Sequence, residues 1–141
     1  MTDVLPAVSD QVRGLLVERL DDCMIMLAIV STNYRLHLSV DDGFAGELNK
    51  HVIAVLHAVA RRVDVVHTGG RYIEPVIGRP RRVQGRVLAV DEAANTITVR
   101  SACPFVAHLS VGQTADAFEP GQLVSFDVER GTSLKPGQTK P

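Results

Sequence analysis

A mainly β domain carrying one N-terminal amphipathic helix is the architecture the sequence predicts, and three observations predict it. Apolar and polar residues alternate with period two in several separate segments, the spacing of strands with one buried face. Short runs rich in Ser, Thr, Asn, Asp, Gly and Pro punctuate those segments. One early segment, Pro6 to Asp22, instead spaces Val8, Val12, Leu15, Leu16, Val17 and Leu20 around a helical face, with Ser9 or Asp10 available as a cap.

The strands follow in order. "CMIMLAIV" (23–30) is a continuous apolar run bounded by Asp21 and Asp22 on one side and by Ser31, Thr32 and Asn33 on the other, which suits a buried strand. In "YRLHLSV" (34–40), Tyr34, Leu36, Leu38 and Val40 alternate with Arg35, His37 and Ser39, so Ser-Thr-Asn reads as a hairpin turn. "DDGFAGE" (41–47) is a break. The following segment, 48–68, is ambiguous: Leu48, Val52, Leu56, Val59 and Val63 fit a helical stripe, while its many β-branched residues favour a strand. A long bent strand is the preferred reading, with a helix at 45–60 as its rival.

Beyond the glycines of "HTGG", "RVQGRVLAVDEAANTITVR" predicts the clearest hairpin, Val83 to Val90 and Thr96 to Arg100, turning at Asp91 to Asn95. "PFVAHLSV" places Phe105, Ala107, Leu109 and Val111 on one face. A short helical or turn segment, a Pro-Gly turn and a last strand from Leu123 to Val128 complete the pattern, and 131–141 reads as a flexible polar tail.

The order of these elements, with "GRVLAVDEAANTITV" and "FEPGQLVSFDV", resembles an oligonucleotide/oligosaccharide-binding (OB) barrel over residues 50–130. The resemblance implies a small, partly closed antiparallel barrel. The expected organisation is one globular domain, 1–130, in which a helix and hairpin (6–41) precede the barrel (50–130).

Composition bounds the chemistry. At 141 residues, the chain is long enough for one core without disulfides. Aromatic residues make up only 4% and Trp is absent, which leaves few rings for base stacking. Cys23 and Cys103 lack ligand spacing and sit in apolar or strand-like surroundings, so both are expected as buried thiols in a reducing cytoplasm. "MTDVLPAVSDQV" has no basic stretch followed by an apolar one, and no apolar run reaches the roughly 18 residues of a bilayer span. Membrane insertion is therefore not expected.

Charge carries the functional reading. Residues 61–86 hold seven arginines against Asp64 and Glu74, a local balance of +5 in a chain of net charge −1. Such a basic stripe is the footprint of phosphate-backbone binding, and Arg adds bidentate geometry. The expectation is a non-catalytic binding module for RNA or single-stranded nucleic acid, using Arg61, Arg62, Arg71, Arg79, Arg81, Arg82 and Arg86, with Tyr72 stacking on a base. In the rival reading, the arginines meet an acidic protein partner, a second copy of the chain, or the chain's own Asp41, Asp42, Asp91 and Glu92.

No cofactor, metal or enzymatic activity is expected. His37, His51, His57, His67 and His108 show no HxH or HExxH spacing, and no GxSxG, GxxxxGK[ST] or GxGxxG motif occurs.

Overall fold

The computed structural model describes residues 10–41, 44–110 and 112–136. Among these the chain is mainly β. Its strands are β1 (Gln11–Asp21), β2 (Met24–Ile29), β3 (Arg35–Ser39), β4 (His51–Val65), β5 (Tyr72–Glu74), β6 (Ile77–Gly78), β7 (Arg82–Asp91), β8 (Thr96–Arg100), β9 (Pro104–His108), β10 (Leu123–Val128) and β11 (Ser133–Pro136). One short 3-10 turn spans Ala115–Ala117. No described helix is long and apolar enough to cross a membrane.

β4 organises the sheet. Along one edge it pairs with β1 and then, in parallel, with β9; along the other it pairs with β11 and then β10. The pairing therefore runs in two rings that share this strand. β1, β2, β3 and β11 return to its N-terminal half, while β10, β7, β8 and β9 return to its C-terminal half. The strand reading of 48–68 holds because alternation wins: Ala54, Leu56, Ala58 and Ala60 are buried, while the residues between them reach the surface. One hydrophobic cluster fills the interior, and Leu16, Ile25, Leu27, Leu36, Leu38, Phe105 and Phe126 are among its largest fully buried side chains.

Among the described residues, the expected N-terminal helix is absent. Residues 11–21 form β1, and the expected helical positions 6–9 lie outside the described residues. The apolar spacing misled because β1 is bulged twice: register slips between Leu16 and Glu18 and again between Arg19 and Asp21. Each bulge inserts a residue and resets the alternation. Val12, Leu16, Val17 and Leu20 thus acquire near-helical spacing inside a strand.

The hairpins are found where alternation predicted them. β2 and β3 pair antiparallel around Ser31–Asn33, and β7 and β8 around Glu92–Asn95. Asn95 adopts a positive φ there, and the Asp91 carboxylate accepts from the Ala94 amide.

Two further expectations are corrected. Residues 133–136, placed in a flexible tail, form β11, in which Leu134 is buried opposite Leu56; residues 137–141 lie outside the described residues. Cys23 is exposed, because it sits in the β1–β2 turn, with its amide donating to Asp21 Oδ1. Cys103 is buried as expected, and burial pushes its thiol pKa up to about 12. A thiol reagent is expected to modify one cysteine rapidly in the native protein and the second only in denaturant. Mass spectrometry of the labelled peptides would show this, and fast native labelling of Cys103 would refute it.

Candidate anion-binding surface

The arginine-rich segment does not act as one block. Its residues divide according to how the strands hold them.

Arg61 and Arg62 occupy a bulge in β4, where Phe126 faces Val63 but Val128 faces Ala60, so β4 carries an extra residue. Two consecutive side chains are thereby turned outward, and both arginines are exposed while Val63 returns to the core. Gln113 secures the bulge: its side-chain amide accepts from the Val63 amide at 2.8 Å and donates to the Val63 carbonyl at 2.9 Å. The Ser110 hydroxyl donates to the Ala60 carbonyl beside it. Arg61, Arg62, Gly112 and Gln113 line a shallow depression of about 320 Å³.

β10 lies between β4 and the start of β7, and the chain beyond its end stays bonded to both. Val128 donates to the Arg81 carbonyl, and Glu129 donates to the Val59 carbonyl. Arg61, Arg130 and Arg81 thus come from three neighbouring chain segments, and Arg79 joins them. The Arg79 guanidinium is held below its ordinary pKa, first by desolvation and then by the positive charges of Arg130, Arg81 and Arg61. Among the described residues, none of these four makes an ion pair.

Three of the remaining expected arginines have other partners. Arg62 Nε lies 3.1 Å from Asp64 Oδ1, both well exposed. Arg82 Nη1 lies 2.7 Å from Asp127 Oδ1, and Tyr72 together with Asp127 raises its pKa. Arg86 Nη1 donates to the Gly121 carbonyl. Arg71 is exposed in the loop before β5.

Tyr72 is half-buried. Its hydroxyl donates to Gln84 Oε1 at 3.3 Å, and buried Gln84 in turn donates to the Gly70 carbonyl at 2.8 Å. These bonds fasten the glycine loop, with Gly69 at φ +111°, over β7. The ring is tied into that network.

Of the four acids proposed as internal partners, Glu92 is exposed and makes no ion pair with these arginines among the described residues. Asp41 pairs with Lys135 and Asp91 caps its own turn; Asp42 lies outside the described residues. Arg130 was missed because Glu129 cancels its charge in any local count and the following glycine reads as the start of a tail. Its only sequence signal was its position immediately after a clear strand.

The histidines hold a second surprise. Parallel pairing of β4 with β9 brings together His57 and His108, 51 positions apart, with His57 Nδ1 2.9 Å from His108 Nε2. Burial, and then the charges of His108 and Lys135, lower the His57 pKa, while Asp10 opposes them.

The fold and this surface define a mainly β protein with a group of arginines that make no ion pair among the described residues. No protein-family model, curated protein or solved structure matches the chain.

Proposed function

We propose that the protein is a non-catalytic binding module that holds single-stranded nucleic acid, RNA foremost, against the surface formed by Arg61, Arg79, Arg81 and Arg130. The observation that carries this reading is that backbone hydrogen bonds bring the segments bearing Arg61, Arg81 and Arg130 side by side, with Arg79 two residues from Arg81, and that none of the four makes an ion pair among the described residues. Like charges gathered this way repel one another, and a polyanion relieves the repulsion while releasing its own counterions.

The ring of β4, β10, β7, β8 and β9 supports the OB-like, partly closed barrel inferred from element order, since five strands return on themselves. Two free thiols support a reducing compartment, the cytoplasm. Because Tyr72 is fastened to Gln84, stacking contributes little here and phosphate contacts dominate.

The protein-partner reading keeps one observation of its own. Val76 and Ile77, only two to three residues before Arg79, are 47% and 59% exposed.

Fluorescence anisotropy with a labelled single-stranded RNA at about 100 mM salt tests the proposal, with heparin and a charge-matched control protein alongside. Binding above the control, competed by unlabelled RNA, is the expected result. No binding above the control defeats the proposal, and self-association measured by sedimentation would then favour the protein-partner reading.

A further inference from the structure

The outer face of the second ring carries a pocket that the arginine surface does not use. Its floor follows from strand register. Ala89, Thr98, Val106 and His57 are direct neighbours across β7, β8, β9 and β4, and the next row is Asp91, Thr96, His108 and Val59. Asp10, just before β1, joins the wall of this cavity of about 390 Å³. Two carboxylates and two imidazoles line it, and no lysine or arginine does. Lys135, whose charge reaches His57, has its ammonium 3.0 Å from Asp41. The lining therefore favours a cation.

The two imidazoles are held by neighbouring strands. His57 and His108 occupy diagonal positions on a parallel pair, and their rings are tilted by 34° with centroids 5.2 Å apart. They are not stacked; instead they present His57 Nδ1 and His108 Nε2 to each other at 2.9 Å. In the metal-free chain this is one shared N–H···N hydrogen bond. The same spacing has a second meaning. With metal–nitrogen bonds of about 2.0–2.1 Å, two ligands at a right angle stand about 2.9 Å apart, and two at the tetrahedral angle about 3.3 Å apart.

We propose that His57 and His108 form a two-imidazole site for a divalent transition-metal ion of tetragonal preference, Cu²⁺ ahead of Ni²⁺. The order follows the general affinity series for nitrogen ligands. Among the described residues, no third His, Cys, Asp or Glu stands close enough to complete a three-ligand cluster, so a bound ion would need water for its other positions. Asp10 and Asp91 contribute their field from the pocket wall. Binding requires the shared proton to move to the far nitrogen of the ring that carried it, His57 Nε2 or His108 Nδ1, so that both rings stay neutral and His57 Nδ1 and His108 Nε2 each donate a lone pair to the metal.

The test is titration of the untagged full-length chain with Cu²⁺, read by electron paramagnetic resonance and calorimetry. One ion per chain is expected, with a tetragonal spectrum and splitting from two nitrogens. His57→Gln and His108→Gln should each lower affinity at least about tenfold. His51→Gln and His67→Gln, at exposed histidines, should leave it unchanged. Should either site variant misfold, imidazole resonances of the wild type serve instead, because Cu²⁺ at substoichiometric levels should broaden those of His57 and His108 first. Retention of the tight site in the double variant, broadening centred on other histidines, or no binding beyond that of free imidazole would overturn the proposal. Intense tetrahedral bands with Co²⁺ would refute its geometric preference.

Discussion

Gly85→Ala is expected to destabilise the fold by about 3 kcal/mol, the upper end of the cost of forcing atoms into a packed interior. Gly85 lies in β7, is buried and pairs with Val124. A Cβ there would stand 2.3 Å from the Arg100 carbonyl oxygen and 2.9 Å from the Ser101 nitrogen. Both are backbone atoms, so no rotamer change can make room. The turn after β8 would have to lift, and that turn is fixed in two ways. The Ser101 amide donates to the Cys103 carbonyl, and the Ser101 hydroxyl donates to the Tyr72 carbonyl at 2.8 Å.

For a chain of this size, the loss corresponds to a fall in Tm of about 10–15 °C. Gly70→Ala is the control, because a Cβ there meets nothing within 4 Å. Thermal unfolding of the two variants beside the wild type decides the matter. A Gly85→Ala variant within about 0.5 kcal/mol of wild type would mean that the β8–β9 turn is far softer than its bonds imply.

That same turn marks the boundary between what the sequence discloses and what it hides. Local features disclose themselves. Period-two alternation in 34–40 and 83–100 needs no knowledge of distant residues, and the polar turns at Ser31–Asn33 and Asp91–Asn95 follow from their own chemistry. Long-range features do not. β1 reads as a helix because its two bulges break the alternation that would reveal a strand, and bulges are set by the partner strand. β11 is four residues with one buried leucine, too short to show a period, and it exists because β4 offers it an edge. The close approach at Gly85 likewise depends on residues in the next turn.

The candidate site divides in the same way. Arginine density was plain, but which arginines act together depended on pairing that the sequence does not state. Asp64 and Asp127 take Arg62 and Arg82 out of the free set, and the path of β10 brings in Arg130. His57 and His108 show no motif because the register of a parallel pair, not spacing along the chain, joins them.

The largest functional effect is expected from Arg61, Arg79, Arg81 and Arg130 changed together to Gln. If each contacts one phosphate of a single strand, removing all four should flatten the slope of log K against log salt by about 0.7 per contact, close to 3 in total. At 0.1 M salt this corresponds to a loss of about two to three orders of magnitude in affinity. Arg62→Gln with Arg82→Gln should change the slope far less, because both guanidiniums already face carboxylates.

Stability provides the discriminating second readout. Like charges on adjacent chain segments repel one another, and desolvation followed by the charges of Arg130, Arg81 and Arg61 holds the Arg79 pKa down, so the quadruple variant should be no less stable than wild type at low salt. Wild type, in turn, should gain stability on adding RNA while the variant does not, because a ligand stabilises only the state that binds it. Arginines serving internal structure or assembly would give the opposite pattern: the variant would unfold earlier or dissociate, and the salt slope of any residual RNA binding would remain. Measuring slope and melting temperature on the same two proteins therefore separates a phosphate-binding surface from a structural one, even if the affinities alone do not.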